Sequence, residues 1–121
     1  MTDRLRGRRL LVVEDEYAIA TELVCWLEDE GVEVVGPVGT VDEALALVAR
    51  EAQHLHGAML DINLHDQLVY PVADALSDVG VPFVFTTGYS ASAIPPAYAD
   101  VPRCMKPLDG AQLRRLIPVR E

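Results

Sequence analysis

A doubly wound α/β domain, with parallel strands joined by helices on both faces of one sheet, is the fold this sequence predicts. Three observations carry the prediction. Five short apolar runs alternate with segments of helical period along 121 residues, and such alternation implies right-handed crossovers between parallel strands. The apolar runs are continuous, as expected of strands covered on both sides. The length suits one domain, and no internal repeat or linker divides it.

The elements follow in order. Residues 10–14 are apolar, end in acids and predict the first strand. From Glu16 the period changes, and Ile19, Leu23, Trp26 and Leu27 recur at helical spacing until Gly31 stops them. Residues 33–37, rich in valine, predict a second strand. Thr40, with Glu43 three positions later, forms a capping box ahead of Val41, Leu45 and Val48. Residues 58–61 are the third strand, again ending in a carboxylate. Val69, Val72, Ala73, Leu76 and Val79 trace the next helical stripe, closed by Gly80 and Pro82. Residues 81–87 combine β-branched and aromatic side chains, as a fourth strand does. Beyond Gly88, Pro95 and Pro96 limit any helix to a turn or two. Residues 101–105 predict the fifth strand, and Asp109 opens a last helix through Leu113, Leu116 and Ile117, ended by Pro118.

Composition narrows the function. A net charge of −9 argues against nucleic acid as a direct ligand, because phosphate contacts need clustered Lys and Arg. No apolar stretch approaches the roughly 18 residues of a membrane span, and no secretory h-region follows the N-terminal arginines. Neither membrane nor nucleic acid is therefore an expected partner. Arg4, Arg6 and Arg8 are expected to lie on a flexible basic arm over residues 1–8, outside a core of about 9–117. Cys25 and Cys104 have no metal-type spacing and are expected to be buried thiols in a reducing cytoplasm. His54, His56 and His65 fall in or near loops and are read as surface residues. Met1 reads as a natural start, and with nothing following Glu121 the expected output is a protein contact.

In an open parallel sheet, chemistry collects beyond the carboxyl ends of the strands. The first strand ends at Glu14 and Asp15, the third at Asp61 with Asn63 two positions on, the fourth at Thr87–Gly88 and the fifth at Lys106–Pro107. Three carboxylates on one edge repel by about 4 kcal/mol per pair at an effective dielectric near 20, so protons or a cation must relieve them. Oxygen ligands alone suit Mg²⁺, and Mn²⁺ fits the same set. Lys106 is the only lysine in the chain, and a compact ammonium there is a sensible partner for a carboxylate and a phosphoryl group. Thr87 adds a hydroxyl donor. Singly, each feature is ordinary; the ordered set is not.

That set, carried by VVEDE, MLDINL, TTGY and MKP, resembles the receiver domain of bacterial two-component response regulators from Arg9 to about Ile117. The resemblance implies a flavodoxin-like (βα)5 fold, with a five-stranded parallel sheet of order 2-1-3-4-5. It implies Asp61 as phosphoacceptor, with Asp15 ligating Mg²⁺ directly, Glu14 holding the metal's waters or ligating it, and the backbone carbonyl of Asn63 completing the protein ligands. It further implies that Lys106 neutralises phosphoryl charge, that its bond to Pro107 is cis, and that Thr87 turns toward the acyl phosphate. The implied partner is a sensor histidine kinase or histidine phosphotransfer protein. The implied role is cytoplasmic signalling, in which the only chemistry is self-catalysed phosphorylation and dephosphorylation. Arg103 stands where receivers usually place an aromatic switch residue. Phe85–Thr86–Thr87–Gly88–Tyr89 resembles a subgroup with a Phe-Ala-Thr-Gly-like motif, found among stress-signalling proteins and stand-alone receivers, with Thr86 in place of alanine. Tyr89 is the candidate substitute switch. The alternative reading is a small Mg-dependent phosphatase with Asp61 as nucleophile, although Asn63 then stands where a second carboxylate would act as general acid and base.

Overall fold

Continuous apolar runs become strands with two buried faces. In the computed structural model, which describes residues 4–88 and 94–120, strand β1 (Arg9–Val13) sends Leu11 and Val13 into one core and Leu10 and Val12 into the other. It pairs in parallel with β2 (Glu33–Val38) on one side and β3 (Gly57–Asp61) on the other. Helix α1 (Tyr17–Asp29) joins β1 to β2, and α2 (Val41–Glu51), with a 3₁₀ turn at Ala52–His54, joins β2 to β3. The capping box forms: Thr40 Oγ1 accepts from the Glu43 N–H at 3.1 Å.

A short antiparallel hairpin follows β3, formed by β4 (Asn63–Leu64) and β5 (Gln67–Leu68). Helix α3 (Tyr70–Asp78) leads to β6 (Phe83–Thr87), and a 3₁₀ turn at Pro96–Tyr98 precedes β7 (Arg103–Met105). Helix α4 (Gly110–Leu116) completes the fold, with the Asp109 side chain accepting from the Ala111 N–H. The five-stranded sheet runs β2-β1-β3-β6-β7, all parallel, which is the 2-1-3-4-5 order in the numbering of the main strands.

Two apolar layers sandwich the sheet. One holds Val41, Ala44 and Val48 of α2 with Val72, Ala73 and Leu76 of α3; the other holds Leu23 and Leu27 of α1 with Leu113 and Ile117. Where the fourth crossover lacks a long helix among the described residues, aromatic rings fill the space. Tyr70 stacks on Tyr98 at 4.6 Å and meets Phe85 edge-on at 5.8 Å, arrangements that suit the ring quadrupole. Tyr98 also donates to Asp74 Oδ1 at 2.6 Å, which, with burial second, pushes its phenol up to about 12.

Two expectations need correction. Residues 4–8 are not a free arm: Leu5 is fully buried in the α1–α4 core, Gly7 N–H donates to Gly31 at 2.8 Å, and Arg4 donates to the carbonyls of Arg114 and Ile117. Arg4 thus donates to carbonyls at the end of α4, while Arg8 donates to those of Arg4 and Arg120. Cys25 is exposed, because it lies on the face of α1 opposite the Leu23–Leu27 stripe; Cys104 is buried as expected.

Candidate functional site

Parallel pairing brings the carboxyl ends of β1, β3, β6 and β7 to one edge, and a charged or hydroxyl residue stands at the end of each. Glu14 and Asp15 follow β1, Asp61 ends β3, Thr87 ends β6 and Lys106 follows β7. One carboxylate oxygen from each of Glu14, Asp15 and Asp61 lies within 4.8 Å of the others. Lys106 Nζ sits 3.1 Å from Glu14 Oε1 and 3.2 Å from Asp61 Oδ2. The Lys106 N–H donates to the Thr87 carbonyl at 2.9 Å, so the ammonium and the hydroxyl are carried on one strand pair. Thr87 is buried. The Lys106–Pro107 bond is cis.

The electrostatics follow from burial. The Glu14 side chain is 1% exposed and that of Asp61 6%. Burial first, and then the neighbouring Asp61, push the Glu14 carboxyl up to about 7, against the opposing pull of the Glu16 N–H and Lys106. Burial pulls the Lys106 ammonium down, but its close contact with Glu14 and the charge of Asp61 outweigh this and leave it above its ordinary value.

The donor set fits a hard divalent cation. Among the described residues, Glu14 Oε1 is buried without a hydrogen bond of good geometry and is held by its ion pair with Lys106, and a buried acceptor left in that state is costly. With two more carboxylates within reach, all oxygen, a cation of the Mg²⁺ type would satisfy it.

Among the expected site residues, Glu14, Asp15, Asp61, Thr87 and Lys106 share this edge. Asn63 starts β4, and its N–H donates to Asp61 Oδ1 at 3.2 Å. Arg103 lies one strand position from Cys104 in β7 and donates to the Ala99 carbonyl at 3.1 Å. Tyr89 falls outside the described residues. One residue read as mere surface belongs to the site: His65 Nδ1 lies 2.9 Å from Asp15 Oδ2. No sequence signal marked it, because its placement depends on a two-residue hairpin whose loop, His65–Asp66, contains no glycine.

No family model matches this sequence, and no curated protein sequence does so. Solved structures do. SdrG from Sphingomonas melonis Fr1 is 35% identical, with a TM-score of 0.78, over 96% of this chain and 95% of that one. The chain belongs to the response regulator receiver family. The BeF3-activated conformation of SdrG, from Pseudomonas melonis Fr1, matches at 36% identity and a TM-score of 0.73, over 88% of this chain and 90% of that one. The response regulator PhyR from Brucella abortus is 30% identical with a TM-score of 0.79; this receiver covers 47% of that chain and aligns over 94% of its own. A response regulator receiver protein from Sinorhizobium medicae WSM419 shares the fold at a TM-score of 0.78 and 23% identity, over 93% of both chains. A signalling role as phosphoacceptor therefore attaches to this receiver, and its acidic pocket is of the kind that takes a divalent ion. None of its described helices is long and apolar enough to cross a membrane.

Proposed function

We propose that the protein accepts a phosphoryl group on Asp61 from a phosphohistidine, on a sensor histidine kinase or histidine phosphotransfer protein, and signals through protein contact in the cytoplasm. The observation that carries this is the Lys106 ammonium 3.2 Å from Asp61 Oδ2, beside two further carboxylates. An Asp61 oxygen attacks phosphorus, the P–O bond forms, and the P–N bond to the donor imidazole breaks with its electron pair leaving on nitrogen. The developing charge lies on phosphoryl oxygens, where positioning and neutralisation supply most of the catalysis. Lys106 provides a fixed point charge at that place, and the Thr87 hydroxyl provides a donor. Glu14, Asp15, Asp61 and the Asn63 carbonyl would hold Mg²⁺. When bound, Mg²⁺ supplies positive charge against the phosphoryl oxygens. The Asn63 N–H, already on Asp61 Oδ1, orients the nucleophile. That SdrG is described in a BeF3-activated conformation supports the same chemistry here.

The acyl phosphate adds roughly two charges and three acceptor oxygens at the end of β3, a local change that Thr87 would report to the rest of the fold. Intact-mass measurement after incubation with a small phosphodonor and Mg²⁺ tests the proposal. One phosphoryl adduct is expected on the wild type, lost with chelator and lost in Asp61→Asn. An adduct of equal yield on Asp61→Asn would overturn it.

A further inference from the structure

His65 occupies a backbone position that most side chains avoid. The β4–β5 hairpin is closed by two residues, and His65, the first of them, has φ +52°, the only positive φ at a non-glycine among the described residues. Loop positions with positive φ in such hairpins are most often glycine, with asparagine, aspartate and histidine the side chains that adopt it most readily. Strain retained at one point of a fold is a pointer to function. The strained residue places its ring on Asp15.

The contact is specific. His65 Nδ1 lies 2.9 Å from Asp15 Oδ2, and since a carboxylate only accepts, the ring nitrogen carries the proton and donates. The His65 ring is 80% exposed, whereas Asp15 is 8% exposed, so the histidine reaches inward from solvent to a nearly buried acid. Lys106 pairs with Glu14 and Asp61 but not with Asp15. Among the described residues, His65 is the side-chain donor that Asp15 has. Carboxylates that bind metal ions are held in place by hydrogen bonds of this kind, and losing such a partner costs roughly 10- to 100-fold in metal affinity.

We propose that His65 is a positioning residue for the divalent-ion site: by holding one oxygen of Asp15 it keeps that carboxylate turned toward Glu14 and Asp61. The proposal rests on the divalent-ion reading of this cluster. Calorimetric titration of the metal-free protein with Mg²⁺ alone tests both, on wild type, His65→Gly and His65→Asn. Wild type binding no Mg²⁺ would sink the underlying reading. If wild type binds, His65→Gly is expected to bind about tenfold more weakly, although glycine relieves the positive φ and leaves the metal-free thermal midpoint unchanged or higher. His65→Asn, which tolerates the same backbone and keeps a donor, is expected to recover part of the loss. Equal or tighter Mg²⁺ binding by His65→Gly would overturn the proposal and make the histidine a mere cover over Asp15.

Discussion

Replacing Asp15 with asparagine removes one negative charge from the crowded edge while keeping shape and an acceptor for His65. At 4.8 Å and an effective dielectric of about 20, one carboxylate pair repels by about 3 kcal/mol. Glu14, with its carboxyl pushed up to about 7, carries about half a charge at neutral pH, so its pair with Asp15 counts for about half as much as that with Asp61. Side-chain relaxation and the partial solvent access of Asp15 cut the relief to about 1–3 kcal/mol. The expected result is that Asp15→Asn, free of metal, is more stable than wild type by that amount at pH 7. Urea unfolding followed by the single tryptophan, Trp26, reads it directly. Saturating Mg²⁺ should then stabilise the wild type by mass action and leave the variant nearly unchanged. A variant less stable than wild type without metal, or equally stabilised by Mg²⁺, would refute the electrostatic reasoning.

Two further predictions concern pH and the C-terminal segment. Glu14 keeps its proton in the fold up to about 7, while the unfolded chain releases it near 4.5; its stabilising contribution is full below 4.5 and lost as pH rises through 7. Metal-free stability from this group should therefore fall by about 3 kcal/mol at most between pH 5 and 8; denaturant titrations of Glu14→Gln should lack that slope. Arg120 donates to the carbonyls of Ala52, Leu55, Val79 and Gly80 at 2.6–3.4 Å, tying the tail to the ends of two helices. Arg120→Ala should cost about 2 kcal/mol in chemical denaturation, and Arg120→Lys should recover less than half, since an ammonium lacks the planar fork.

The parts of the fold legible in the sequence were those whose signal is local. Apolar runs such as residues 58–61, buried at every position, announced covered parallel strands, and Thr40–Glu43 announced a helix start. Once the alternation was read, topology did the rest: Glu14, Asp15, Asp61, Thr87 and Lys106 stand at strand ends, and the strand ends meet. What escaped was set by tertiary context. Leu5 is flanked by arginines, and nothing local reveals that its side chain reaches the core between α1 and α4. The β4–β5 hairpin is two residues per strand, too short for a period, and its turn holds His65 where a glycine would have flagged it. The Tyr70–Tyr98 stack joins residues 28 positions apart, in the first turn of α3 and in the turn ahead of β7, which only the tertiary fold brings together.

Among the described residues, the strand that delivers Lys106 is three residues long and has a single neighbour, whereas those that deliver the acids are five residues long and flanked on both sides. Cation and anions thus hang on unequal supports. A gain of charge on Asp61 pulls against two firmly anchored ribs and one loosely seated rim, so the yielding falls to the rim. Amide protons from Arg103 to Lys106 are the place to watch for it.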